Sequence, residues 1–182
     1  MSLRELTTDD ARAVQRIYSS ASVLHLPRAA MEGTEAQRFV ERAVRCARET
    51  PRTHHVLGID MNGDLLGIIK LNRTSTNGKL SYILRDDAWG CGVATAAVTE
   101  LLVLAFGVLG LPVVTAKHHA DNAASGRVLV KAGFSRTETT GGFVHYAAEP
   151  GSADRPRLGL SRCSTVVPAG MRTIPIPTKG RQ

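Results

Sequence analysis

The stretch LSYILRDDAWGCGVATAAVTELLVLAFGVLGL, Leu80 to Leu111, decides how this chain is read. Its first part, LSYILR, is short, apolar and rich in strand formers. Its last part, GVATAAVTELLVLAFGVLG, is long and rich in Ala and Leu. It ends at Gly107 or Gly110 with Pro112 just beyond, which predicts a helix. Between them, Trp89-Gly90-Cys91-Gly92 turns the chain from strand to helix. A turn of this kind leaves the first helical N–H groups unpaired and exposes the positive end of the helix dipole. Glycines there keep side chains away, so a phosphate can approach the backbone. Neither GxxxxGK[ST] nor a complete GxGxxG is present, and on its own the stretch also reads as a plain turn.

Downstream, LPVVTAKHH predicts a buried strand. DNAASGRVLVKAGF predicts a shorter helix, capped by Asp121 or Asn122 and stopped by Gly133, and SRTETTGGFVHYAAE predicts a last hairpin. Upstream, HHVLGID and LLGIIKLNRT are joined by Met61-Asn62-Gly63-Asp64, and Asn-Gly between apolar runs signals a tight hairpin. A second turn at Thr76-Asn77-Gly78-Lys79 leads back into LSYILR, so residues 54–85 read as a three-stranded antiparallel meander. The chain opens with a short strand and a helix capped by Thr8 or Asp9. An amphipathic helix from Thr34 to Glu49 follows, with Phe39, Val40, Ala43, Val44 and Ala47 inward. The predicted order is β-α-α-β-β-β-α-β-α-β-β, an α/β fold with an antiparallel front and a βαβ back.

The 182 residues suit one ordinary domain, and an apolar fraction of 43% with few aromatics implies an aliphatic core. A formal charge of +7 favours anionic partners. Part of that excess is local: residues 150–182 carry six Lys and Arg against Asp154 alone. The body is therefore only mildly basic, and nucleic acid is not an expected partner. Cys46, Cys91 and Cys163 are odd in number and widely spaced, which argues against a disulfide framework and a cysteine zinc site. No metal site is expected. MSLRELTTDDA has no signal-peptide apolar run, and Leu101–Val114 is too short to span a bilayer. A cytoplasmic protein without a membrane partner is expected. Residues 1–149 form the expected domain; residues 150–182, with five of the eight prolines and no period, read as a disordered or draped tail.

The helix-opening turn and the later segment together resemble the GNAT superfamily of acyl-CoA-dependent N-acetyltransferases. The family pattern Q/R-x-x-G-x-G/A places Gly92 and Ala94 at its small positions, with Trp89 departing from Q/R. The D-x-W-G-x-G turn and HADNAASGRVLVKAGF are similar to the ribosomal-protein N-acetyltransferase-like branch. In that second block Asn122, Ser125, Val128, Lys131, Gly133 and Phe134 fit N-x-x-S-x-x-V/F-x-x-K-x-G-F. The resemblance covers roughly residues 3–148. It implies a mixed central sheet, an antiparallel meander followed by a splayed parallel pair, flanked by about four helices.

The resemblance also implies acetyl-CoA as co-substrate. Its pantetheine arm would lie in the splayed cleft, with its pyrophosphate on Trp89, Gly90, Cys91, Gly92, Val93, Ala94 and Thr95. Asn122 would hydrogen-bond the pantetheine, and Arg127 and Lys131, a helical turn apart, would face the phosphates. A solvated helix face is the other reading of those two cations. A backbone N–H around Leu84 or Arg85 would stabilise charge on the thioester oxygen. The family's usual acid, a Tyr in the later helix, is Leu129 here. The branch's alternative is Ser125, which otherwise reads as a helix-start hydrogen-bonding residue.

The Glu that this branch often carries on the meander strand is Lys79, a poor base. Substitute bases are His119, His55 and His25, with His54, His118 and His145 behind them; adjacent histidines in a strand face opposite ways. Cys91 at a helix start has a route to reactivity but no partner pattern of a nucleophile. The implied activity is direct acetyl transfer to a primary amine on a protein N-terminus, a small molecule or an antibiotic. A catalytically degenerate acyl-CoA-binding module is the competing reading. A homodimer is compatible with both.

Overall fold

The computed structural model describes residues 1–151, so the expected tail lies outside the described residues apart from its first two positions. Strand β1 spans Ser2–Glu5, helix α1 Ala11–Ile17 and helix α2 Gly33–Ala47. Strands β2, β3 and β4 follow at His54–Met61, Asp64–Arg73 and Gly78–Leu84. Helix α3 spans Val93–Val103, β5 Val114–His119, α4 Ala123–Lys131, β6 Ser135–Thr140 and β7 Phe143–Ala148. The strands form one seven-stranded sheet in the order β1-β2-β3-β4-β5-β7-β6. All neighbours are antiparallel except β4 and β5. No helix among the described residues is long and apolar enough to cross a membrane.

Local sequence accounts for most boundaries. Asn62 and Gly63 both take positive φ, which is what closes the β2–β3 hairpin in two residues. Helix α1 begins after a single 3-10 turn at Thr8–Asp10, capped by Thr7 in a reciprocal box with Asp10. Thr7, one residue ahead of the predicted cap, serves because Asp10 can reach back to its N–H at 2.7 Å. Helix α3 widens into a π turn over Leu104–Val108 before it stops. Gly110, at positive φ, then redirects the chain so that the Leu111 N–H reaches back to the Ala105 carbonyl at 3.0 Å.

Two apolar cores lie on opposite faces of the sheet. One packs α1 and α2 on the front strands through Val14, Ile17, Val40 and Ile68, all fully buried. The other packs α3 and α4 through Val98, Leu101, Leu102 and Leu129 against Ile69, Leu71 and Val114. Each such side chain contributes about 1.5–3 kcal/mol relative to exposure. Consecutive residues Ile68 and Ile69 feed opposite cores because strand side chains alternate. A polar clamp secures the N-terminus: Arg4 donates to Asp10 twice at 2.8 Å and to Asp60 at 2.9 Å. These contacts hold both carboxyls below the usual carboxylate range.

The decisive irregularity is between β4 and β5. They pair in parallel only at Gly78–Val114 and Lys79–Thr115. Past Lys79 the two strands separate, as expected, and β4 runs on to Leu84 with its β5-facing edge open.

Candidate active site

A cavity of about 460 Å³ fills this gap. Its floor is the β4 edge, its far wall the start of α4, and its mouth the turn before α3. Backbone parity along β4 decides which groups it receives. The Gly78 N–H points to β5, donating to Val113 O at 2.9 Å, and the Arg85 N–H points to β3, donating to Leu66 O at 2.8 Å. Alternation therefore turns the N–H of Leu84 to the cleft. The Leu84 carbonyl, on the same side, accepts the Trp89 indole N–H at 3.2 Å, which fixes the turn against the strand end.

Gly90 and Gly92 adopt φ of 76° and 79°, and a Cβ at either would meet open space. Conformation, not crowding, demands glycine here. Gly92 is the α3 cap, and the first intrahelical bond runs from Ala96 N–H to its carbonyl at 3.0 Å. The N–H groups of Val93, Ala94 and Thr95, all three lining the cavity, thus have no partner within the helix. Arg127 and Lys131 also line this end of the cavity, so unpaired helix N–H groups and two cations gather at its mouth.

Helix α4 supplies the other wall. Asn122 caps it, its Oδ1 accepting the Ser125 N–H at 3.1 Å. That leaves the Asn122 amide N–H groups for the cavity. Ser125 Oγ lies 2.8 Å from the Tyr82 hydroxyl. Burial pushes the Tyr82 phenol up to about 12, against a smaller opposing effect of the Ser125 hydrogen bond, so the hydroxyl keeps its proton at neutral pH. Gly126 allows α4 to sit this close to the sheet: a Cβ there would lie 2.7 Å from His118 Nε2 and 3.0 Å from the Tyr146 hydroxyl.

The structure gathers most of the expected residues and separates four. Leu84, Trp89, Gly90, Gly92, Val93, Ala94, Thr95, Asn122, Ser125, Arg127, Lys131 and His25 line the cavity; Arg85, Cys91, His55 and His119 do not. Arg85 is a clamp: its guanidinium grips Asp64 at 2.9 and 3.0 Å and Asp87 at 2.8 Å, and its N–H is taken by Leu66. Of the two expected backbone donors, only Leu84 faces the cleft.

His55 sits on β2, two strands from β4, and is 6% exposed with Nε2 lacking a hydrogen-bond partner. Burial lowers its pKa. His119 ends β5 on the face away from α4, edge-on to Phe143 at 5.7 Å between ring centres. Its neighbour His118 points the opposite way, donating Nδ1–H to the His119 carbonyl at 2.7 Å, so that Nε2 accepts from the Tyr146 hydroxyl at 3.3 Å.

Tyr82, Ser22 and Leu26 line the cavity without having been singled out in the sequence. For Tyr82 a signal existed. Leu80, Tyr82 and Leu84 share one strand face, and a lone hydroxyl in an apolar row points to a polar partner. Ser22 and Leu26 belong to the irregular segment between α1 and α2, which has no period to read.

Comparisons with known proteins agree with this geometry. The sequence profile described as Acetyltransferase (GNAT) domain matches residues 1–135. The uncharacterized N-acetyltransferase YoaA of Bacillus subtilis (strain 168) is 25% identical over 159 residues, covering 81% of this chain and 86% of that protein. Mycobacterium smegmatis RimJ, solved in complex with CoA-disulfide, superposes with a TM-score of 0.69 at 20% identity, over 84% of this chain and 83% of that one. AAC(6')-Ib, solved with paromomycin and acetyl-CoA, gives 0.70 at 19% identity, over 86% and 97%. At such identities the structural likeness speaks for the fold. The profile, matched over most of the length, carries the conclusion: this chain belongs to the GNAT acetyltransferase family and is an acyltransferase.

Proposed function

We propose that the protein is an acetyl-CoA-dependent N-acetyltransferase that moves the acetyl group directly to a primary amine. The observation that carries this reading is one cavity holding both an anion cradle and a protonated hydroxyl pair. The residues fit the co-substrate: glycines free of Cβ, three first-turn N–H groups and two cations at the mouth suit its phosphates. The open β4 edge suits its pantetheine amides, as an added strand would. Acetyl-CoA supplies an activated thioester carbonyl.

The chain's own groups then divide the work. Leu84 N–H donates to the carbonyl oxygen as negative charge grows there. Ser125 O–H, hydrogen-bonded to the Tyr82 hydroxyl, donates its proton to the departing sulfur; Tyr82 passes its own proton to Ser125 and recovers one from solvent at the open cavity, so the pair ends as it began. The amine must lose a proton to attack. Among the described residues no Asp or Glu lines the cavity and His25 is the imidazole that does, so His25 is assigned as base.

Purified protein mixed with acetyl-CoA and a panel of amines should release free CoA thiol in an amine-dependent way. Release no faster than without amine overturns the reading in favour of an acyl-CoA-binding module, the alternative suggested by Lys79 and Leu129.

A further inference from the structure

A buried imidazole beside the cleft has no part in the transfer scheme. His118, only 8% exposed, stands on the face of β5 that α4 covers, the face of Val114 and Ala116. Both of its ring nitrogens are committed. A carbonyl can only accept, so the 2.7 Å contact with the His119 carbonyl puts the proton on Nδ1, and Nε2 then accepts from the Tyr146 hydroxyl at 3.3 Å. Tyr146 comes from β7, where it pairs with Ala116, and its ring centre lies 5.4 Å from that of the imidazole.

The His119 carbonyl has a second donor. The Asn122 N–H reaches it at 2.8 Å and closes the turn from β5 into α4. His118 therefore grips the carbonyl on which that turn depends. Asn122 takes φ −93° and ψ 62°, outside the helical region, and caps α4 through the Ser125 N–H at 3.1 Å. A continuous chain of contacts results: imidazole to His119 carbonyl, that carbonyl to Asn122, Asn122 to Ser125, and Ser125 Oγ to the Tyr82 hydroxyl in the cavity.

The same ring sets the height of the helix above the sheet. Glycine inside a helix is unfavourable, and Gly126 is not among the glycines at positive φ, so close approach is the reason for it. A Cβ there would stand 2.7 Å from Nε2 and 3.4 Å from Cε1 of His118. The first turn of α4 thus rests on the imidazole and the Tyr146 hydroxyl; Leu129, a turn later, is its buried apolar anchor.

We propose that His118 is a positioning residue for the transfer reaction: through the His119 carbonyl it sets where Asn122 and Ser125 stand at the cleft. That role rests on the acetyltransferase reading, with Ser125 as proton donor. The requirement is geometric. A donor hydroxyl has to come within hydrogen-bond reach of the sulfur it protonates, and a displacement of about 1 Å can cost on the order of a hundredfold in rate.

The test is a double-mutant cycle read by thiol release, with kcat expressed per CoA-binding site so that misfolded protein is not counted. His118→Gln loses the Nδ1 donor and should lower kcat at least about tenfold. His118→Asn places an amide N–H where the Nδ1–H stood and should keep kcat within about threefold of the wild type. In a Ser125→Ala background, His118→Gln should change kcat by less than about twofold, because the group it positions is gone. A histidine that only packs the core would show the same factor in both backgrounds, with Asn no better than Gln. Either of those results, or wild-type kcat in His118→Gln, overturns the inference. If His118→Gln does not fold, Tyr146→Phe takes its place in the cycle: it keeps the ring, removes the hydroxyl that orients the imidazole, and should lower kcat by about threefold or more with the same non-additivity. No amine-dependent thiol release from the wild type overturns the acetyltransferase reading and this role with it; wild-type turnover with insensitive variants overturns the role of His118 alone.

Discussion

The front and back halves of this sheet are built to different rules. Strand β3 in the front is buried on both faces along most of its length, between α1–α2 and α3. Strand β7 in the back alternates strictly between buried and half-buried residues, and β6 is exposed throughout. A sheet covered on both faces is apolar along its strands; one covered on a single face must alternate. The front half therefore carries stability. The back half leaves β6 and alternate residues of β7 less covered among the described residues, and it parts from β4 to open the cleft.

The strongest way to break the contrast is to delete volume on each side of it. Ile68→Ala in the front should lower unfolding free energy by about 2–5 kcal/mol in a denaturant titration. Phe143→Ala on the open back face should lower it by about 1 kcal/mol or less. Equal losses would mean the back face is packed after all. The next largest effect lies at the seam. Ser125→Ala should lower kcat about a hundredfold, and Tyr82→Phe about tenfold, with KM for acetyl-CoA unchanged in steady-state thiol-release kinetics. If kcat is unaffected, the hydroxyl pair only ties α4 to β4.

The smallest effect belongs to the front half alone. Asp10 and Asp60 have folded-state pKa values below their unfolded ones, so their contribution is present above the unfolded value of about 4 and is lost as pH falls through the folded values. The thermal midpoint should be flat from about pH 7 to 5 and fall below about pH 4. Asp60→Asn should make that fall shallower.

Much of this organisation is local and so was readable in order along the chain. Asn62-Gly63 made a hairpin, the glycines after Trp89 made a helix start, and Asn122 made a cap, because each acts within a few residues. Long-range pairing was not readable. Arg85 looked like a cleft residue until Asp64, distant in sequence, claimed its guanidinium. His55 looked like a base, but β2 carries it two strands from the gap. The choice between the Leu84 and Arg85 N–H groups needed the β3–β4 register, which no local preference sets.

What the sequence determined by itself is the order of elements, the glycine turn at Gly90 and Gly92 that opens α3, and the family resemblance. All of these rest on backbone freedom, turn chemistry and periodicity within short windows. Tertiary structure alone decided that β4 and β5 part after Lys79 and that Tyr82 meets Ser125 across 43 residues. The physical reason is that strand pairing and side-chain convergence depend on which segments meet, and that is settled only when both cores close on the sheet.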